Sequence, residues 1–375
     1  MEKLIIEGGR PLTGKVKIHG AKNAALPILA ACVLVDGTHT VENVPSLLDI
    51  KVMLEILRKI GCRAEHQHDK VTLDTSDVHS FHIPEELMGQ MRSSIFLMGP
   101  LLTRFGRVQF YQPGGCAIGE RKIDLHLKGL EALGARIQVE GNTIICTADR
   151  LKGTDIILDF PSVGATENIM MAAVKADGIT RIHNAAREPE IVDLQNCLIS
   201  MGANISGAGT DTITICGESK LQPCNRYRII PDRIVAGTLM IATAATNGKI
   251  VLENVAPDHL ASVIHVLRRA GVQILTEENK ITVSSSGRPR PLDRIVTSPY
   301  PSFPTDLQSQ IMVLLAIADG FSVIKETIFE GRFKHVSELN RMGADIRVDM
   351  NSAFIRGVPK LYGATVEATD LRAGA

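Results

Sequence analysis

The chain has 375 residues, 45% hydrophobic and 22% charged, and its 41 basic and 41 acidic side chains cancel. That length has room for two or three domains, and the composition is ordinary for a globular protein. Balanced charge argues against a general role on nucleic acid or a membrane surface, and the longest apolar run, Ala24 to Val35, is far short of a bilayer span.

In chain order, Met1-Glu-Lys leads into Leu4-Ile-Ile-Glu7, which reads as a strand and not as a secretory signal. Gly9-Arg-Pro-Leu-Thr-Gly-Lys15 fits the spacing of a phosphate-binding loop. However, Val16 replaces the required Ser or Thr, and Val16-Lys-Ile-His19 continues as strand where such a loop opens a helix. From Asn23 two signatures alternate. The first is a short, almost wholly apolar helix ending in glycine and followed by a strand, with glycines at 37, 106, 178, 248 and 320. Its helices include Asn23-Ala-Ala-Leu-Pro-Ile-Leu-Ala-Ala-Cys32, Glu167-Asn-Ile-Met-Met-Ala-Ala-Val174 and Gln308-Ser-Gln-Ile-Met-Val-Leu-Leu-Ala-Ile-Ala318. A helix that is apolar all round is buried on all sides. The second is an amphipathic helix, a glycine and then strands, as in Leu57-Arg-Lys-Ile-Gly61 and Leu130-Glu-Ala-Leu-Gly134. It returns at Leu198-Ile-Ser-Met-Gly202, Leu267-Arg-Arg-Ala-Gly271 and Leu339-Asn-Arg-Met-Gly343.

These last glycines are 73, 68, 69 and 72 residues apart, so the chain is a repeat of about 70 residues. Each unit is predicted to hold two helices, one of them central, and up to four strands. Each turn glycine can supply the left-handed conformation that ends a helix. Five units are complete, and a sixth begins at Ala368-Thr-Asp-Leu-Arg372; the repeat arithmetic leads one to expect about 45 further residues. Helix starts gathered near one point would attract an anion through their free N–H groups and dipoles.

Seven cysteines, at 32, 62, 116, 146, 197, 216 and 224, form no C-x-x-C pair, and the eleven histidines form no metal-spaced cluster. The pattern points to a reducing cytoplasm, with no disulfide framework, no metal and no cofactor. Gly207-Ala-Gly209 lacks the third glycine of a dinucleotide site. One cysteine stands apart. Cys116 follows Pro113-Gly114-Gly115, and Arg121, Lys122, Asp124 and His126 come within ten residues of it. A loop thiol near cations is the setting of a reactive cysteine, although a structural cysteine beside a turn fits the same residues.

Polar groups open the apolar helices: Lys22 and Asn23; Arg92 with Ser93 and Ser94; Ser162-Val-Gly-Ala-Thr-Glu167; Asp232 and Arg233; Thr305 and Asp306; Thr369-Asp-Leu-Arg372. With Gly20-Ala-Lys-Asn23, Pro113-Gly-Gly-Cys-Ala-Ile-Gly119, Ile123-Asp-Leu-His126, Pro301-Ser-Phe-Pro-Thr-Asp306 and Phe329-Glu-Gly-Arg332, this set resembles the enolpyruvyl transferases. Within them it is similar to the UDP-N-acetylglucosamine 1-carboxyvinyltransferases, over the whole chain. A sister branch that acts on phosphorylated shikimate shares the six-unit fold but lacks the cysteine loop.

The resemblance implies an α/β fold of two inside-out α/β barrel domains, residues 22–230 and residues 1–21 plus 231–375, with the active site in the cleft between them. It implies transfer of enolpyruvyl from phosphoenolpyruvate to the 3-hydroxyl of the sugar nucleotide, with release of phosphate. Both partners are small molecules. Cys116 matches the family's general acid and Asp306 its base, with Lys22 also catalytic. Lys22, Asn23, Arg92, Arg121, Arg332 and Arg372 match the phosphoenolpyruvate contacts. Asn23, Arg92, Arg121, Lys122, Ile123, Asp124, Leu125, Ser162, Val163, Gly164, Asp306 and Ile328 match those to the sugar nucleotide. His126 is carried in the same motif without an assigned role. Taken alone, Asp306 reads as a helix N-cap.

Lys122 stands where the family often has proline and Gly331 where it often has asparagine. The arginine of the family's closing Asp-Arg-Gly-Tyr type motif has no counterpart in this sequence. An alternative reading is therefore a non-catalytic relative that binds the sugar nucleotide and acts in regulation.

Overall fold

A computed structural model describes residues 3–111, 123–217 and 220–375. Cys116, Arg121 and Lys122 lie outside the described residues. What is described falls into two compact units. One runs from His19 to Ile230, and the other combines the chain up to Ile18 with Pro231–Ala375. Each has its own hydrophobic core, and the two cores share no residue.

The repeat is visible in every sheet. In the unit that starts at residue 231, the helix Arg233–Ala245 leads into the strand Lys249–Glu253. The helix Ala261–Arg269 follows, then the hairpin Gln273–Glu277 and Lys280–Ser284. Lys280–Ser284 pairs antiparallel with both other strands, in register Leu252↔Ile281 and Thr276↔Ile281. The same three-strand order recurs in the other four sheets, so a 70-residue period in sequence becomes one supersecondary unit. The entry strands Thr38–Glu42, Arg107–Tyr111, Lys249–Glu253 and Phe321–Lys325 all bury their second and fourth residues. That period of two means one face of each sheet rests on the core. The helices Lys22–Ala31, Val163–Ala173 and Gln308–Ala316 are buried almost throughout, which is the inside-out arrangement of helix within and sheet without.

Four of the sheets gain a further strand that runs parallel to the entry strand. Two of these precede the helix of their own repeat: Asp155–Ile157 beside Ile179–His183, and Ile295–Val296 beside Phe321–Lys325. The other two are exchanged. Thr13–Lys17 pairs with Lys249–Glu253, and Tyr227–Arg228 pairs with Thr38–Glu42. Each exchange joins sequence-distant segments of a single unit.

Nine of the ten repeat glycines have positive φ. Gly248 does not. There Asn247 takes the left-handed conformation, at φ 53°, while a Cβ on Gly248 would meet the Leu12 carbonyl oxygen at 2.2 Å. Leu4-Ile-Ile-Glu7, expected as a strand, is not one: Leu4, Ile5 and Ile6 are exposed, and the first strand is Thr13–Lys17. A strand exists through its partner's hydrogen bonds, and none pairs this segment among the described residues. At Thr369-Asp-Leu-Arg372 the chain makes a turn, and Asp370 Oδ1 accepts from the N–H of Arg372 and Ala373 at 2.8 and 2.9 Å. Asp232 Oδ1 caps Ile234 and Val235 in the same way, at 2.8 and 2.9 Å.

Candidate active site

In the unit from His19 to Ile230, the candidate residues sit at helix starts. Lys22 opens its helix, and Ala21 N–H bonds the Ile230 carbonyl at 2.8 Å, fixing the entry. The Lys22 ammonium lies 2.5 Å from Asp49 Oδ2, on the first turn of the helix Leu48–Lys59. Asn23 is half-buried beside it, and half-buried Arg92 opens the short 3₁₀ helix Arg92–Leu97. Ser162 caps Val163–Ala173 by accepting from Ala165 N–H at 3.4 Å. Val163 and Gly164 form the first turn of that helix. Ile123 is buried, Asp124 exposed and Leu125 half-buried at the start of Asp124–Ala132.

Asn168 and His126 join these helices. Asn168 lies wholly buried in the helix Val163–Ala173, next to buried Thr166 and Glu167, where a polar side chain is costly without partners. Its Oδ1 accepts from Gly99 N–H at 2.9 Å. Its Nδ2 donates to the Ile95 carbonyl at 3.0 Å and to His126 Nδ1 at 2.9 Å. Because Nδ1 accepts, a neutral His126 carries its proton on Nε2. The ring lies against Gly164, where an added Cβ would come within 3.0 Å of His126 Cε1. Gly164 is thus small because His126 occupies the space.

In the other unit, the candidate residues converge on one carboxylate. Asp306 Oδ1 accepts from Arg332 Nη2 at 2.8 Å, and Oδ2 accepts from Arg372 Nη2 at 3.4 Å. Arg332 is 4% exposed and its guanidinium also lies over the Phe329 ring, 5.3 Å from the centroid. Arg332 Nη1, Gln308 Oε1, both ring nitrogens of His335 and Thr369 Oγ1 are buried without a hydrogen-bond partner. Unsatisfied buried donors and acceptors around a guanidinium mark a place prepared for a polar ligand or ordered water.

Burial works to raise the Asp306 pKa, but Arg372 and Arg332, then Arg233, outweigh it and hold the carboxyl down at about 2. Asp306 makes no cap: neither the Thr305–Leu307 turn nor the helix from Gln308 carries a side-chain cap bond. Two guanidiniums compete for the oxygens a cap would use. Burial, with Arg332 nearby, pushes His335 down to about 4 despite Asp370. Ile328, half-buried, begins the loop that carries Arg332.

Among the described cysteines, burial pushes Cys62 and Cys146 up to about 12, so they are inert as nucleophiles. Cys224 is held near 7 by a hydrogen bond with Cys197, yet is 1% exposed. No group of three metal-ligating side chains occurs among the described residues, and no helix among them is long and apolar enough to cross a membrane.

Residues 6–375 match the family described as EPSP synthase (3-phosphoshikimate 1-carboxyvinyltransferase). UDP-N-acetylglucosamine 1-carboxyvinyltransferase 2 of Carboxydothermus hydrogenoformans is 56% identical, over 100% of this chain and 90% of that protein. The chain belongs to the enolpyruvyl transferase family. Among enolpyruvyl transferases, UDP-N-acetylglucosamine 1-carboxyvinyltransferase 2 of Caldanaerobacter subterraneus subsp. tengcongensis is 52% identical, over 100% of this chain and 89% of that one. The Shewanella amazonensis protein named UDP-N-acetylglucosamine 1-carboxyvinyltransferase is 50% identical, over 100% and 90%. The fold is shared with the enolpyruvyl transferase NikO of Streptomyces tendae, at TM-score 0.85 and 24% identity over 94% of this chain and 84% of that one. It is shared also with EPSP synthase of Acinetobacter baumannii, at TM-score 0.71 and 20% identity over 95% and 84%.

Two structural partners had no assignment from sequence. Asp49 is a lone carboxylate on an amphipathic helix, and nothing local marks it. Asn168 did carry a signal, as an amide inside a helix whose following residues are all apolar and buried.

Proposed function

We propose that the chain transfers enolpyruvyl from phosphoenolpyruvate to the 3-hydroxyl of UDP-N-acetylglucosamine, releasing phosphate, as the first committed step of peptidoglycan synthesis. The observation that carries this is identity of 50–56%, along the whole chain, to relatives named for that activity. The Asp306–Arg332–Arg372 cluster supports it, because the reaction needs a fixed base beside fixed cations.

In this reading, phosphoenolpyruvate brings a phosphate and a carboxylate, for which Lys22, Asn23, Arg92, Arg121, Arg332 and Arg372 are the proposed partners. Arginine suits both groups through its permanent charge and planar fork. The sugar nucleotide takes Asn23, Arg92, Arg121, Lys122, Ile123, Asp124, Leu125, Ser162, Val163, Gly164, Asp306 and Ile328.

Cys116 gives its proton to the methylene carbon, the sugar oxygen bonds to the neighbouring carbon, and Asp306 takes the hydroxyl proton. Loss of phosphate, with one methyl proton returning to the Cys116 thiolate, then restores the double bond. A carboxylate held near 2 is a weak base. Anionic substrate supplies the remedy: as Arg332 and Arg372 turn to it, Asp306 loses the charges that depress it and becomes more basic. A product bound for the cell wall links the chain to cell shape and division, and the reaction is assigned to the cytoplasm.

The test is phosphate release from phosphoenolpyruvate with and without UDP-N-acetylglucosamine, for the chain and for Cys116→Ser. Release that requires the sugar nucleotide and collapses in the variant is expected. Saturable binding of the sugar nucleotide with no release would favour the regulatory alternative instead.

A further inference from the structure

Glu326 follows the strand Phe321–Lys325, and the catalytic roles proposed above leave its carboxylate unused. It is 3% exposed. Burying a carboxylate is costly unless its oxygens are satisfied, and here three neutral donors satisfy them. Oε1 accepts from the backbone N–H of Ile328 at 2.8 Å and of Phe329 at 3.2 Å. Oε2 accepts from the Thr305 hydroxyl at 2.9 Å. The flanking backbone is fixed as well: Glu326 N–H bonds the Asn351 carbonyl at 2.8 Å, and Thr327 Oγ1 donates to the Thr297 carbonyl at 2.5 Å.

Two segments of this unit are therefore tied together twice. Thr305–Asp306 and the stretch from Glu326 to Arg332 are joined by Asp306–Arg332 and by Thr305–Glu326. Chemistry weakens the first tie, since Asp306 gives up its charge when it takes a proton and Arg332 turns to the anion. The second tie has neutral donors and does not change with that proton.

We propose that Glu326 is a positioning residue of the transfer reaction, holding Thr305–Asp306 in register with Ile328–Arg332 while the Asp306–Arg332 pair opens. The proposal rests on the functional reading above. It places the need for Glu326 at the step where Asp306 is neutral, so its loss falls on kcat more than on the KM for phosphoenolpyruvate. Hydrogen bonds to a charged acceptor are the stronger kind, but register needs only a hydrogen bond across the two segments, in either direction.

The experiment compares kcat and KM for wild type, Glu326→Ala, Glu326→Gln, Thr305→Val, Thr305→Ser and the Ala/Val double variant, with melting temperatures alongside. Losing a hydrogen bond to a buried carboxylate should lower kcat about tenfold in Glu326→Ala and in Thr305→Val. Glutamine keeps an acceptor for both backbone N–H groups and turns its amide N–H to Thr305 Oγ1, reversing that bond without losing it, and serine keeps the hydroxyl, so these two should stay within about threefold of wild type. The double variant should be no slower than Glu326→Ala, because both changes cut one tie. Unchanged kcat in Glu326→Ala or Thr305→Val, losses that multiply, or Glu326→Gln as slow as Glu326→Ala would each overturn the proposal. If Glu326→Ala does not fold, Glu326→Gln with the two Thr305 variants decides by the same comparison. A wild-type chain without turnover overturns the functional reading and this inference with it, whereas active wild type with unaffected variants overturns this inference alone.

Discussion

Asp306 and His335 belong to one polar cluster, and both have pKa values below their ordinary range, for different reasons. For Asp306 the guanidiniums prevail over burial and hold the carboxyl down at about 2. A carboxyl depressed from about 3.9 contributes stability that is whole above that value and is lost as pH falls toward 2. Asp306→Asn keeps the shape but cannot take a proton; kcat for phosphate release should drop roughly 10²–10⁴-fold. A variant that retained wild-type kcat would remove Asp306 from the role of base. His335 works in the opposite direction. Burial holds it neutral down to about 4, while an unfolded chain takes the proton near 6.5. Between those values acid favours the unfolded chain by about 1.4 kcal/mol per pH unit through this residue alone. Asp193, which burial raises to about 6, pulls the other way as pH falls, so absolute stability mixes the two. The clean quantity is the difference in unfolding free energy between wild type and His335→Leu. It should shift toward the variant as pH falls from 6.5 to 4; a difference independent of pH would show that His335 charges in the native state.

At the scale of elements, close helix approach depends on two glycines that meet different atoms. A Cβ on Gly99 would come within 2.5 Å of the Asn168 backbone carbonyl oxygen, whereas one on Gly129 would meet the tip of Ile169 at 2.3 Å. Backbone cannot step aside and a side-chain tip can. Gly99→Ala should therefore cost roughly 1–3 kcal/mol despite the helix propensity gained, and Gly129→Ala less. Urea midpoints for the two variants in the reverse order would contradict this account. Asn168→Ala removes the bonds to the Gly99 N–H, to the Ile95 carbonyl, which keeps the Met98 N–H, and to His126 Nδ1, and should cost roughly 2–5 kcal/mol. The elements themselves were legible because helix, glycine and strand follow one another locally, ten times over. Gly248 shows the limit, since its place in the repeat is set by the nearby Leu12 backbone while Asn247 supplies the turn. The meeting of Asp306, Arg332 and Arg372 was not legible from spacing: the arginines lie 26 and 66 positions away, and only folding joins them. Family motifs named those residues, but that both guanidiniums pair with the one carboxylate is a fact of geometry. Glu326 escaped notice for the same reason, its donors coming from 2, 3 and 21 positions away.

For the whole molecule, the decisive fact is that the two cores share no residue although the chain passes between units after Ile18 and after Ile230. The exchanged strands explain how each unit closes. Thr13–Lys17 completes the sheet of Lys249–Glu253 far along the chain, and Tyr227–Arg228 completes the sheet of Thr38–Glu42. Neither pairing could be read from neighbouring residues, because a parallel partner strand leaves no mark on the sequence between. Separate cores predict separate opening: a lesion in one should lower the free energy of local unfolding there and leave the other nearly unchanged. Asn168→Ala is the lesion to use, since its three hydrogen bonds all lie between His19 and Ile230. Amide exchange measured by mass spectrometry should then show weakened protection in Lys22–Ala31, Met98–Phe105 and Val163–Ala173. Arg233–Ala245 and Gln308–Ala316 should keep wild-type protection. Equal loss in both sets would contradict separate opening and mean that the two cores stand or fall together.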